Sequence, residues 1–322
     1  MLRLNWWDTR KKKLESTRQG FGRGLVRAAA ADKKVVALTA DLKESTQVDT
    51  FAQKYPARFF DVGVAEQNLA GLAAGLALSG KIPFMTSYAV FSPGRNWDQI
   101  RVSIAYNQAN VKIVSTHAGL NVGPDGATHQ ALEDIALMRV LPNMTVVVPA
   151  DSLQAEQATQ AIARRRGPVY LRLTRSATPM IMSERSDFTI GKAQVLQQGN
   201  DVTIIACGPL VYQSLLAARH LSEQGIAATV INCHTIKPLD ERTIISWAKK
   251  TQAVVTVEEH QIAGGLGSAV AEVLALRQPT PQEFVAVNDQ FGQSGSADEL
   301  LSHYGLTMES IITACHRVLR RK

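Results

Sequence analysis

The chain has 322 residues, 45% of them hydrophobic; this exceeds the usual size of one domain and supplies more than one core, which excludes extensive disorder. Its formal charge is +7, with basic residues gathered at 10–13, at Arg18, Arg23 and Arg27, at 164–166 and at 317–322. These clusters lack interleaved aromatics and any zinc-finger or RNA-recognition signature, so solvated surface, with attraction of phosphorylated metabolites second, is preferred to nucleic-acid binding.

Taken in chain order, residues 1 to about 15 carry no clear pattern and no continuous apolar run, so neither a secretory signal nor a membrane span is expected. Thr17 opens a helix whose apolar positions Phe21, Leu25 and Val26 share one face, and the string VVALTA from Val35 reads as a strand. FFDVGV, ending at Val64, reads as a second buried strand, after which Leu69, Leu72 and Leu76 recur at helical spacing among small residues. Further strands are expected at 111–115, 145–148 and 169–173, with helices from about Ala131 and from Ser152, the latter capped by Asp151 with Gln154.

A less apolar connector covers residues 182–201, and a second alternating unit begins at VTIIACG. It reads as strand 202–206, helix 211–222 stopped by Gly225, strand 227–232, a helix after Asp240, strand 253–257, a helix after Ser268 and strand 284–287. The fold class is therefore α/β with parallel sheets in two domains, at residues 15–182 and 195–322. Cys207, Cys233 and Cys315 are odd in number and widely spaced, which speaks against a disulfide framework or a structural zinc site and fits a reducing cytoplasm.

Glu66 follows an expected strand end and opens the next helix, where ligands gather in parallel-sheet proteins. Taken alone, it is equally accounted for as an acid favoured by the helix dipole. Its surroundings, GVAEQNLAGLAAGLALSGKIPFMTSYAVF, resemble the pyrimidine-binding domain of thiamine diphosphate enzymes, transketolases in particular. The resemblance implies that Glu66 holds the aminopyrimidine ring nitrogen and so activates the cofactor, with Phe91, and less firmly Tyr88, against the pyrimidine face. Asp98, Gln99 and Arg101 read as helix residues at a subunit interface, with no chemistry assigned.

The string STHAGLNVGPDGATHQALED is similar to the transketolase substrate loop. By that similarity Asp125 contacts the sugar hydroxyl beside the reacting carbon and His129 stabilises the reacting carbonyl oxygen. Arg18 in STRQGFG, Ser45 in TADLKEST, His117 in STHAG and Arg175 in YLRLTRS match the family's phosphate pocket, a task that suits the forked donors of arginine. Two histidines twelve residues apart without cysteines or an HExxH pattern give no metal site within this chain. In the second unit, IKPLDE and TVEEHQIAGGLGSAVAE resemble the C-terminal domain shared by transketolases and 2-oxo acid dehydrogenase beta subunits. Gly264, Gly265 and Gly267 there leave open an anion site or a packing turn, and His260 a place at the active-site rim.

No GDG string occurs, so the resemblance covers two domains of a three-domain enzyme. It implies a C-terminal subunit of a split transketolase, whose N-terminal companion binds the diphosphate and a magnesium or calcium ion, the pair forming an α2β2 heterotetramer. The expected reaction moves a two-carbon ketol unit from a ketose phosphate to an aldose phosphate, with xylulose 5-phosphate as donor and ribose 5-phosphate or erythrose 4-phosphate as acceptor. Alternatives are a deoxyxylulose phosphate synthase-like chain, a 2-oxo acid dehydrogenase beta subunit, a transketolase for an unusual sugar phosphate, and a non-catalytic scaffold.

Overall fold

The computed structural model describes residues 1–8 and 13–322; the basic residues Arg10, Lys11 and Lys12 lie outside that range. The chain is α/β. It begins with β1 (Leu14–Glu15), α1 (Thr17–Ala31), β2 (Val35–Thr39), α2 (Asp49–Lys54), β3 (Phe59–Asp61), α3 (Glu66–Leu78) and β4 (Ile82–Tyr88). After β4 come α4 (Trp97–Gln99), which runs into a π-helical segment Ile100–Tyr106, then β5 (Lys112–Thr116), α5 (Asp134–Arg139), β6 (Thr145–Val147), α6 (Ser152–Arg164), β7 (Val169–Arg172) and β8 (Thr178–Pro179). The second half holds β9 (Gln194–Gln197), β10 (Val202–Ala206), α7 (Leu210–Glu223), β11 (Ala228–Asn232), β12 (Thr235–Lys237), α8 (Glu241–Thr251), β13 (Val254–Gln261), α9 (Leu266–Arg277), β14 (Gln282–Val287), α10 (Ala297–His303) and α11 (Met308–Leu319).

The first sheet has the order β12-β6-β7-β5-β4-β2-β3, parallel throughout except for β12, which pairs antiparallel with β6. Both faces are covered, as a parallel sheet requires. Along β2, Val35 and Ala37 join a core with Phe21 and Leu25 of α1 and Ala158 and Ile162 of α6, while Val36 and Leu38 face Leu69 and Ala70 of α3 and Ile100 and Ile104 of the π-helical segment. β3 is shorter than the FFDVGV string led one to expect, and it is an edge strand. Among the described residues no further strand lies beyond it, and Phe59 and Phe60 are half-buried and Asp61 is exposed.

The second sheet has the order β14-β13-β10-β11-β9, with β9 antiparallel. The two units share apolar core: Ile205, Ile231 and Ile236 pack with Met138, Leu141, Val146 and Val148. Because β12 lies in the first sheet, its neighbours are stitched across the boundary, the Val148 N–H donating to the His234 carbonyl at 2.8 Å and Lys237 Nζ to the Leu141 carbonyl at 2.5 Å. The helix cap expected at Asp151 is present, accepting from the Gln154 N–H at 2.9 Å, and Asp240 caps α8 in the same way, accepting from the Thr243 N–H at 3.3 Å.

Candidate active site

Parallel strands end on one edge of their sheet, so residues that follow different strands meet there whatever their separation in sequence. Glu66 lies beyond β3, Tyr88 ends β4, Phe91 is three residues on, His117 follows β5 directly, and Arg175 is three residues past β7. Asp125 and His129 belong to the loop between β5 and α5, and Arg18 stands in the first turn of α1. The structure brings these residues into one cluster. The Tyr88 ring stacks on His117 with centroids 3.7 Å apart and on Phe91 at 5.8 Å, and the His129 ring stands edge-on to Phe91 at 5.3 Å.

The Glu66 carboxylate is buried, at 2% exposure, and its Oε2 accepts from Arg95 Nη1 at 2.8 Å. Arg95 also lays its guanidinium over the Phe91 ring, 4.5 Å from the centroid, and Asn96 donates to the Glu66 carbonyl at 2.9 Å. Arg95 was not singled out from sequence. The available signal was an arginine four residues beyond Phe91, in the segment after β4, which ends on the same sheet edge as the segment after β3 that carries Glu66, with β2 between the two strands.

The opposite wall is cationic. Arg18 Nη1 donates to the carbonyl of Ser45 at 2.7 Å, while its Nε is buried without a hydrogen-bond partner. Ser45 therefore meets this wall through its backbone oxygen, whereas the sequence pattern placed it in a phosphate pocket. Arg175 Nη1 donates to the Val122 carbonyl at 2.5 Å and lies 3.6 Å from the Asp125 carboxylate. Burial, with the charges of Arg18, Arg175 and His129, pushes His117 down to about 3, so its imidazole is neutral at physiological pH. Burial and the neighbouring Arg175 likewise lower the pKa of Arg18. A concentration of positive charge in which a guanidinium nitrogen lacks an acceptor is built for an anion.

The loop between β5 and α5 is held from the second domain. Glu259 of β13 accepts from the Asn121 N–H at 2.6 Å, and Asn121 accepts from the Ser176 N–H at 2.7 Å, next to Arg175. Below them Arg172 donates to the Glu259 carbonyl at 2.8 Å and pairs with buried Asp134 at 2.8 Å. The glycine turn Gly264–Gly267 is closed to an external anion, because the buried Glu258 carboxylate accepts from the N–H groups of Leu266 and Gly267 at 2.7 and 2.8 Å. His260 is fully buried against Ala136 and is not at the rim. Among the described residues, no helix is long and apolar enough to cross a membrane.

The family model for the transketolase pyrimidine binding domain matches residues 14–180, and that for the transketolase C-terminal domain matches residues 191–311. The chain belongs to the transketolase family. It is a transketolase-type subunit, similar to a solved structure described as a split gene transketolase, inactive beta4 tetramer, at 48% identity and a TM-score of 0.89 over 95% of this chain and 98% of that one. It is 47% identical to a 6-deoxy-6-sulfo-D-fructose transketolase subunit of Clostridium sp. (strain MSTE9), over 92% of each. It is 39% identical to one of the subunits of the apulose-4-phosphate transketolase of Phocaeicola vulgatus, over 91% of this chain and 94% of that protein.

Proposed function

We propose that this chain is the C-terminal subunit of a split, thiamine diphosphate-dependent transketolase that transfers a two-carbon ketol unit between sugar phosphates. The observation that carries the reading is the meeting, at one sheet edge, of the buried Glu66 carboxylate and stacked aromatics with a cationic wall whose Arg18 Nε lacks a partner. The residues fit the pyrimidine end of the cofactor. Among the described residues Arg95 alone hydrogen-bonds the Glu66 carboxylate, at Oε2, and the same guanidinium lies over the Phe91 ring, so its displacement frees both groups for the pyrimidine. Thiamine diphosphate, when bound, supplies a carbon nucleophile and an electron sink for breaking the bond beside a ketose carbonyl.

Everything else falls to the protein. Glu66 binds the aminopyrimidine nitrogen, and Phe91 with Tyr88 fixes the plane of the ring. Thr128 lies 2.9 Å from His129 Nδ1; a hydroxyl donating there leaves Nε2–H to meet the reacting carbonyl oxygen. Asp125 accepts from the sugar hydroxyl beside it. Arg18, Arg175 and neutral His117 grip the terminal anionic group, which converts remote binding energy into alignment of the reacting carbon. Ser45 contributes by holding the Arg18 fork. The diphosphate and a magnesium or calcium ion are held by an N-terminal partner subunit, the two chains assembling as an α2β2 heterotetramer in the cytoplasm.

The test is to purify the chain with its companion, add thiamine diphosphate, magnesium, xylulose 5-phosphate and ribose 5-phosphate, and follow sedoheptulose 7-phosphate by mass spectrometry. Product from the pair and none from the chain alone supports the reading. Cofactor binding without product moves the assignment to a different sugar. That second reading has support from the relatives named for 6-deoxy-6-sulfo-D-fructose and apulose 4-phosphate, since a cationic wall offers donors to the anionic oxygens of a sulfonate as well as of a phosphate.

A further inference from the structure

The edge of the first sheet opposite the site, where its parallel strands begin, carries a second concentration of positive charge. A cavity of about 520 Å³ opens there, lined by Lys34, Lys81, Arg164, Arg165 and Arg166, with Asp32 its one acidic residue. These positions immediately precede β2 and β4 or lie at and just past the end of α6, so they stand a strand length, roughly 17 Å, from the cluster around Glu66. Among the described residues no ion pair involves any of the five cations, and Lys34, Lys81, Arg164 and Arg166 donate no side-chain hydrogen bond. Asp32 is already engaged, accepting from the Lys34 N–H at 2.8 Å.

The turn bearing the three arginines is held firmly. Beneath it Lys112 is fully buried, and its ammonium donates to the carbonyls of Arg165 and Gly167 at 2.7 and 2.8 Å and to Asn110 Oδ1 at 2.7 Å. Arg165 is further tied through Nε to Thr145 at 3.1 Å. Part of the positive charge serves the fold, because α1, α3 and α6 all end at this edge and each helix C-terminus carries about half a negative charge. Together with Asp32 these ends offset roughly half of the five cations, leaving an excess of more than two charges around a concave surface. A single phosphate would not neutralise that excess, and the cavity is of a size suited to a nucleotide, with Ala77, Ile82 and Ala163 offering apolar contact.

We propose that this cavity is a second anion site, separate from the sugar-phosphate site, which binds a small molecule carrying two or more linked phosphate groups. The proposal is independent of the transketolase chemistry assigned to the opposite edge. The experiment is calorimetric titration of the full chain with inorganic tripolyphosphate and, separately, with ATP, at low and physiological salt. The Lys81→Ala/Arg164→Ala/Arg166→Ala variant, whose residues are all exposed, should bind at least about tenfold more weakly, whereas Arg18→Ala/Arg175→Ala should stay within about twofold of the parent. Tighter binding of ATP than of tripolyphosphate would show that the apolar contacts are used, and equal binding that the phosphates alone are read; either supports the site. Loss of binding in the Arg18/Arg175 variant with retention in the triple variant, absence of saturable binding at millimolar anion, or binding of random duplex DNA alone would overturn it.

Discussion

Helices α1 and α6 cross so closely that two glycines of α1 face the backbone of α6. A Cβ built on Gly20 would lie 1.9 Å from the Ser152 carbonyl oxygen, and one on Gly24 would lie 2.8 Å from that of Glu156. For Gly20→Ala the methyl falls roughly 1.5 Å short of van der Waals contact. Its obstacle is a backbone atom at the start of α6, which no rotamer change can move. Overpacking of this kind costs about 1–3 kcal/mol or more, against a gain of about 1 kcal/mol from replacing a helical glycine, so a net loss near 2 kcal/mol is expected. Gly71, on α3, supplies the contrast, since its Cβ would meet nothing within 4 Å. Gly71→Ala should stabilise the free chain by about 0.5–1 kcal/mol. Urea denaturation of the two variants should therefore move the midpoint in opposite directions at constant slope. Arg18 is two residues before Gly20, so a displaced α1 should also raise KM for sugar phosphate more than it lowers kcat. Equal stability of the two variants would refute the reasoning, because it would mean that α1 is free to move away from α6.

Glu66→Gln in the assembled complex should lower turnover by at least about 100-fold with assembly intact, measured by product formation beside gel filtration. Asp151 accepts from the N–H groups of Gln154, Ile181 and Met182 at 2.9, 2.8 and 2.7 Å, so Asp151→Ala orphans three buried donors and should cost about 3 kcal/mol or more in urea denaturation. Burial raises the Glu259 carboxyl to about 7, against the partial opposition of Arg172. The folded state thus holds this proton more tightly than the unfolded chain, and the stability it confers falls as pH rises from about 4.5 towards 7. Because the depressed His117 acts in the opposite direction on the parent, the measure is the difference between parent and Glu259→Gln: the stability of the parent relative to the variant should fall from about pH 5 to about pH 8, and a difference that does not change with pH would refute the assignment. His117, pushed down to about 3, should show imidazole nitrogen shifts of the neutral ring at about pH 5, and a protonated ring there would disprove the cationic surroundings assigned to it.

Alternating strands and helices, their caps and the chemical residue types were legible in the sequence because each depends on neighbours a few positions away. Buried parallel strands read as apolar runs such as VVALTA and VTIIA, and Asp151 and Asp240 cap helices through N–H groups three residues on. The family motifs likewise marked Glu66, Asp125 and His129 as local strings, and the parallel alternation placed such loops at strand ends. Other features arise between segments far apart in the chain. The Glu66–Arg95 pair spans 29 residues and the Asn121–Glu259 bond 138, and neither leaves a periodicity to read. Thr235–Lys237 joins the first sheet although the sequence assigned that stretch to the second domain, and FFDVGV pairs over only three residues because it forms an edge. Local chemistry chose the elements and their capping; packing of two sheets around a shared core determined which side chains meet, since contact across a domain boundary depends on where whole elements are carried and not on the residues beside them.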